Sequence, residues 1–126
     1  MQSAKCKIEV YGLENLIEVK SFDFAVRIVN LYKRLSAEKN EYVMSKQLLR
    51  CGTSIGANVS EAQNAQSRPD FQSKLNIALK EATESKYWLR LLFATDYLSE
   101  GQYRSIYADS VEIEKLLVSI VKSVKQ

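Results

Sequence analysis

One run constrains this chain more than any other: Met44-Ser-Lys-Gln-Leu48-Leu-Arg-Cys51-Gly-Thr-Ser-Ile55-Gly-Ala-Asn58-Val-Ser-Glu-Ala62-Gln-Asn-Ala65. Read in sevens, Met44, Cys51, Asn58 and Ala65 share one seam position, and Leu48, Ile55 and Ala62 share the other. Apolar residues returning every three or four positions describe one face of a helix that buries itself against other helices. With one proline and four glycines in 126 residues, the punctuation that a strand-and-turn fold needs is scarce. The seam predicts an all-α protein.

The same spacing organises the rest of the chain. Helix 1 is predicted from about Leu13 or Ser21 to Leu35, turning Phe22, Ala25, Val26, Val29 and Tyr32 inward, with Ser36 to Asn40 as its polar connection. Helix 2 covers Glu41 to Ala65 and is broken by Gln66-Ser-Arg-Pro69. Pro69 suits the first turn of helix 3, where Asp70 complements the positive helix end. That helix runs to about Tyr97, with Phe71, Leu75, Ala78, Ala82, Ser85, Leu89 and Leu92 on its seam and Leu79, Trp88 and Phe93 widening it. Ser99-Glu-Gly101 makes the last turn, and helix 4 carries Ile106, Ser110, Ile113, Leu117, Ile120 and Val124. Connections this short join antiparallel neighbours, so residues 13–126 are expected to form an up-down-up-down four-helix bundle.

Ahead of the bundle, residues 1–12 read as an arm. Lys5, Lys7 and Glu9 alternate with Cys6, Ile8 and Val10, a short strand-like signature closed by Tyr11-Gly12. One strand cannot pair its own backbone. The arm is therefore either a frayed terminus or a segment that pairs with a neighbouring subunit.

Several function classes drop out. The chain has no histidine, which removes the commonest general base, the usual triads and the most frequent metal ligand. Cys6 and Cys51 make neither a zinc pattern nor a disulfide framework. No stretch reaches the roughly 18–20 apolar residues of a membrane span, and the first residues lack the apolar core of a signal peptide. The expectation is a cytoplasmic protein with no membrane association, cofactor, metal or catalytic residue. A net charge of +3 is only mildly basic, so contact with nucleic acid has to come from clustering or from assembly.

Three groups of residues stand out. Gly52 and Gly56 lie one turn apart and let another backbone come close, inside one bundle, between subunits or at a ligand. Each costs about 1 kcal/mol of helix propensity against alanine, so close packing has to offset them. Asn58 sits on the seam with Ser54 a turn before it, and a buried amide needs partners, for which Glu61, Glu81, Glu84 and Ser85 are candidates. They form either a register-setting polar core or a carboxylate site for a metal or proton transfer. The di-iron pattern is excluded because it needs Glu-x-x-His twice. Lys33, Arg34, Lys46, Arg50, Arg68 and Lys74 are either solvated surface charges or a patch that contacts phosphates with little sequence preference. The stripe Leu116, Leu117, Val118, Ile120 and Val121 is wide enough for a second, intersubunit contact.

Phe22-Asp-Phe-Ala-Val26, Gln47-Leu-Leu-Arg50, Thr53-Ser-Ile-Gly-Ala-Asn-Val-Ser-Glu-Ala62, Asp70-Phe71, Ile77-Ala-Leu-Lys-Glu-Ala82 and the segment from Glu84 to Leu89 resemble the small bundle proteins encoded in intervening sequences of bacterial 23S rRNA genes. The resemblance begins near Leu13. It implies a closed four-helix bundle and, through similarity to the accessory variability proteins of diversity-generating retroelements, a ring-like homopentamer. Those relatives bind a reverse transcriptase and nucleic acid through a basic surface. Three readings follow: a non-enzymatic homo-oligomer that binds structured RNA or a ribonucleoprotein, a protein–protein adaptor, and an enzyme or metal protein built on Glu61, Glu81 and Glu84.

Overall fold

The computed structural model describes residues 4–125, with side chains from 12 to 124. Four helices follow one another: α1 (Ala4–Lys39), α2 (Val43–Ala62), α3 (Arg68–Ala94) and α4 (Glu100–Lys125). Helix α1 packs on α2 and α4, and α3 packs on the same two, so the helices form a closed square with α1 and α3 on one diagonal. Short connections make each helix antiparallel to the one before it. This is the expected up-down-up-down bundle.

Each connection is fixed by local hydrogen bonding. Helix α1 ends on Asn40, whose φ of 53° is a left-handed conformation that asparagine tolerates. The buried Glu41 carboxylate then accepts the amide protons of Val43 (3.2 Å) and Ser45 (2.7 Å), satisfying two orphan donors at the start of α2. Helix α2 unwinds at Ala62, three residues before the predicted end, because Gln63, Asn64 and Ala65 donate to carbonyls only three positions back. The Ser67 hydroxyl caps α3 by accepting from the Asp70 amide at 3.2 Å. Helix α3 stops at Ala94 rather than Tyr97. Asp96 takes φ 70°, its amide donates to Phe93, and the Tyr97 amide donates to Leu92, which is a Schellman closure. Ser99 and Gln102 cap α4 reciprocally, so Gly101 lies inside the helix instead of in the turn.

Three expectations about α1 need correction. It continues past the predicted end at Leu35, so Ser36 to Lys39 are helical and not a connection. The strand-like segment 5–10 is helical backbone, and α1 runs through Gly12 without a break to begin at Ala4. An isolated strand leaves its backbone groups unpaired, whereas extending an existing helix pairs each new one at little cost. The inward face also differs. The core residues are Ile17, Ser21, Phe24, Ile28, Leu31 and Leu35, while Phe22 is 67% exposed and Val26 45%. Ala25, Val29 and Tyr32 are half-buried at the margin. The segment carries two interleaved apolar stripes with the same period, and only packing against α2 and α4 selects between them.

The α2 seam holds in part. Its buried set is Ser45, Leu48, Cys51, Gly52, Ile55, Val59 and Ala62. Leu48, Ile55, Ala62 and Cys51 are buried as expected and Met44 packs against the core, but Ser45, Gly52 and Val59 are buried beside them and Asn58 lies at the edge. The predicted α3 seam from Leu75 to Leu92 is buried throughout, and so are Ile106, Ser110, Ile113, Leu117 and Ile120 of α4.

Candidate functional site

The bundle axis separates the six candidate cations. Antiparallel helices put Lys33 and Arg34, late in α1, at the same end as Lys46, early in α2. Arg68 begins α3 at the opposite end, with Lys74 one to two turns further in. Helix α2 alone has 20 residues, about 30 Å of rise, so the two groups cannot meet on one phosphate. Arg50 and Lys74 are also engaged by carboxylates across the α2–α3 seam. The Arg50 guanidinium donates to Glu81 at 3.3 Å and to Glu84, and Lys74 meets Glu61 at 3.1 Å. Lys33, Arg34, Lys46 and Arg68 are exposed and form no ion pair among the described residues. Lys39, at the C-terminal end of α1, joins the first group.

The expected polar core resolves into separate contacts. The Asn58 amide donates to the Ser54 carbonyl at 2.9 Å and lies 3.1 Å from its hydroxyl, a contact within one helix. None of Glu61, Glu81, Glu84 or Ser85 reaches it. Glu81 and Glu84 serve Arg50, and Glu84 also accepts the Trp88 indole N–H at 2.9 Å. The buried polar contact between α2 and α3 is instead Cys51 with Ser85, whose hydroxyl lies 3.3 Å from Sγ and donates to the Glu81 carbonyl at 2.8 Å. Burial pushes the Cys51 thiol up to about 11, helped by the nearby Glu84 and Glu81 carboxylates and opposed by Ser85 and Arg50. Among the described residues, no group of three or more Cys, Asp or Glu side chains is placed to hold a metal ion.

Gly52 and Gly56 both face α1. A Cβ on Gly52 would stand 2.9 Å from Cγ1 and 3.0 Å from Cγ2 of Ile28, and one on Gly56 would stand 3.3 Å from the Ser21 carbonyl oxygen. The glycines let the two helices approach, and above that approach lies a feature that periodicity does not reveal. An open groove of about 780 Å³ runs between α1 and α2. Val19, Phe22 and Ala25 form one wall, and Gly56, Ala57 and Ser60 form the other. Glu18 and Asp23 stand on its rim, and no cation lines it. Its signal in the sequence is the second apolar stripe of helix 1, which by spacing alone reads as a core face.

Other ionic contacts close the bundle. Arg27 pairs with Asp109 and Lys20 with Glu112, both at 2.6 Å across α1 and α4. The hydrogen bond and charge of Glu112 push the Lys20 ammonium up. At the Arg68 end a smaller cavity of about 390 Å³ is lined by Glu14, Ser67, Arg68 and Phe71, and partial burial pushes the Glu14 carboxyl up. No described helix is long and apolar enough to cross a membrane.

Fold and surface together define an antiparallel four-helix bundle whose distinguishing features lie outside its core, as an apolar groove and cations divided between its ends. The profile of the 23S rRNA-intervening sequence proteins matches residues 14–119, and the chain belongs to that family. It is similar to a protein of unknown function from the S23 ribosomal protein family of Bacteroides thetaiotaomicron VPI-5482, known from a crystal structure at 1.70 Å. The two are 63% identical with a TM-score of 0.86, over 87% of this chain and 98% of that one. No curated protein matches the chain.

Proposed function

We propose that this protein is a non-enzymatic, homo-oligomeric bundle that binds structured RNA, or a ribonucleoprotein containing it, through a basic surface. The observation that carries the reading is the set of cations at the α1–α2 end. Lys33, Arg34, Lys39 and Lys46 lie toward that end on two helices, Arg34 on the side of α1 that faces α4, and no described carboxylate is within ion-pair distance of any of them. Uncompensated cations supply the salt-dependent, sequence-tolerant attraction for phosphates. Assembly multiplies the effect, because a monomer charge of +3 repeated around an oligomer becomes a substantial field. The family resemblance points to five copies, and ribosomal RNA as the ligand goes with a cytoplasmic location. Arg50 and Lys74 contribute less in this reading, because each already has a carboxylate partner.

The test is binding of nuclease-treated protein to ribosomal RNA fragments at two salt concentrations. Lys33→Glu/Lys46→Glu is expected to weaken binding and flatten its salt slope by roughly 0.7–0.9 for each phosphate no longer neutralised. Arg68→Glu, at the far end, is expected to have the smaller effect. Binding that is absent at low salt, or unchanged in the double variant, refutes the basic-surface assignment. The second reading, a protein adaptor, is favoured by Tyr42 and Val43, which are exposed at the same end. It predicts a protein partner that stays bound at high salt.

A further inference from the structure

Where α3 ends and α4 begins, packing gathers aromatic side chains that the sequence keeps apart. Phe93 of α3 and Tyr103 of α4 stack, with ring centroids 4.4 Å and planes 3° apart. Tyr107 tilts against Tyr103 at 5.1 Å, and all three rings pack on the core. Tyr87, nearly two turns back along α3, is placed differently. It is 54% exposed, and its ring meets Trp88 edge to face at 5.1 Å.

Between these rings lies a cavity of about 340 Å³, lined by Tyr87, Arg90, Leu91, Phe93, Ala94 and Tyr103. That volume is at the small end of the roughly 300–1,000 Å³ of ligand clefts. Among its lining residues Arg90 alone is charged, one turn from Tyr87 and on the same helix face. Arg90 is exposed and in no ion pair among the described residues. Carboxylates on the same stretches of α3 and α4 are engaged elsewhere: Glu84 by Arg50 and Trp88, Glu114 by Lys86 and Thr83, Glu100 by Arg104. Burial and the neighbouring Tyr107 push the Tyr103 hydroxyl up, and the charges of Arg90 and Lys86 oppose them, so the field of Arg90 reaches the aromatic wall.

Aromatic rings around a cavity with one free guanidinium and no carboxylate suit a nucleotide, whose base packs on rings while its phosphate meets the cation. An acidic peptide would use Arg90 and leave the rings idle, and an apolar ligand would do the reverse. The position agrees with this, since α3 ends and α4 starts at the end of the bundle that carries Lys33, Arg34, Lys39 and Lys46.

We propose that the α3–α4 cavity takes one unpaired base of an RNA strand, with Tyr87, Phe93 and Tyr103 against the base and Arg90 on an adjoining phosphate. The inference rests on the RNA-binding reading above and deepens it. The end cations attract any phosphate backbone, whereas the cavity discriminates, because a base inside a duplex offers no free face to a ring.

Fluorescence anisotropy on the full chain tests it, with a labelled oligouridylate and an RNA duplex of equal length, each at two salt concentrations. Tyr87 and Arg90 are exposed, and circular dichroism checks that their variants keep the fold. Tyr87→Ala is expected to weaken oligouridylate binding by about 5- to 150-fold, the range of one base–aromatic stack, with the salt slope unchanged and duplex binding intact. Tyr87→Phe keeps the ring and is expected to bind as the wild type does. Arg90→Gln is expected to reduce the salt slope by roughly 0.7, the loss of one phosphate contact on a single strand. A Tyr87→Ala chain that binds oligouridylate unchanged, or loses strand and duplex alike, overturns the base site, while weakened binding by Lys33→Glu/Lys46→Glu keeps the basic surface standing. Uridine monophosphate that competes as well as the oligouridylate overturns the strand as occupant and makes the cavity a free-nucleotide site. If neither RNA binds at low salt, the RNA reading falls and the inference falls with it.

Discussion

Replacing Gly52 with alanine should change sign according to what occupies position 28. In an ordinary helix interior, glycine to alanine stabilises by about 1 kcal/mol, because the backbone loses less freedom on folding. Here the new methyl would stand 2.9 Å and 3.0 Å from two Ile28 carbons and 3.4 Å from its Cβ. Carbon atoms prefer about 3.5–4.0 Å, so two of these contacts are strongly repulsive. Ile28 cannot swing aside, since a β-branched side chain in a helix is confined to essentially one χ1 rotamer, and this one is 1% exposed. Overpacking of this kind costs about 1–3 kcal/mol, which leaves Gly52→Ala net destabilising by about 1 kcal/mol. Ile28→Ala alone should cost about 2–5 kcal/mol through the cavity it leaves. In that background Gly52→Ala refills part of the space and recovers its helical advantage, stabilising by about 1 kcal/mol. The double-mutant cycle should therefore report a coupling of about 2 kcal/mol. Urea unfolding of the four proteins at one fixed protein concentration measures it, since assembly makes stability depend on concentration. If Gly52→Ala stabilises both backgrounds equally, the two helices are not held at this distance and the argument for the glycine fails.

The edge of the α2 seam makes a contrasting pair of substitutions. Val59→Ala should cost about 2 kcal/mol as a core truncation, whereas Asn58→Ala, whose amide bonds only within its own helix, should cost no more than about 1 kcal/mol. Equal losses in denaturant titration would return Asn58 to the core. Cys51 predicts a pH dependence. Its thiol is raised from an ordinary 9.0 to about 11 in the folded chain, so the stability it contributes is complete below pH 9 and declines as pH climbs through about 11. Cys51→Ala should flatten that alkaline decline. In a Cys6→Ser chain, Cys51 should react with thiol reagents at pH 8 far more slowly when folded than in denaturant, and rapid labelling of the native protein would contradict its burial.

Helical class, the number of helices, their antiparallel order and two of the four core faces follow from the residues without any knowledge of packing. The α3 and α4 stripes are unambiguous because each has one apolar face and a polar remainder. Pro69 and Asp70 mark the start of α3 in the sequence, whereas the capping by Ser67 and Ser99 is seen only in the hydrogen bonds they make. Packing settles the rest, wherever two local solutions are equally good. Helix α1 carries two apolar stripes of the same period, and the wedge between α2 and α4 admits Phe24 and Ile28 while leaving Phe22 and Val26 outside. On α2, the buried face takes in Gly52 beside Cys51 and Val59 in place of Asn58, which is left at the margin. The same limit applies to the candidate site. Arg50 and Lys74 read as free cations in the sequence, and only the α2–α3 seam brings Glu81, Glu84 and Glu61 to them. Periodicity is a property of one helix and is written in its residues. Which face is covered, and which charge is cancelled, depends on residues of other helices, so those outcomes exist only once the helices have packed.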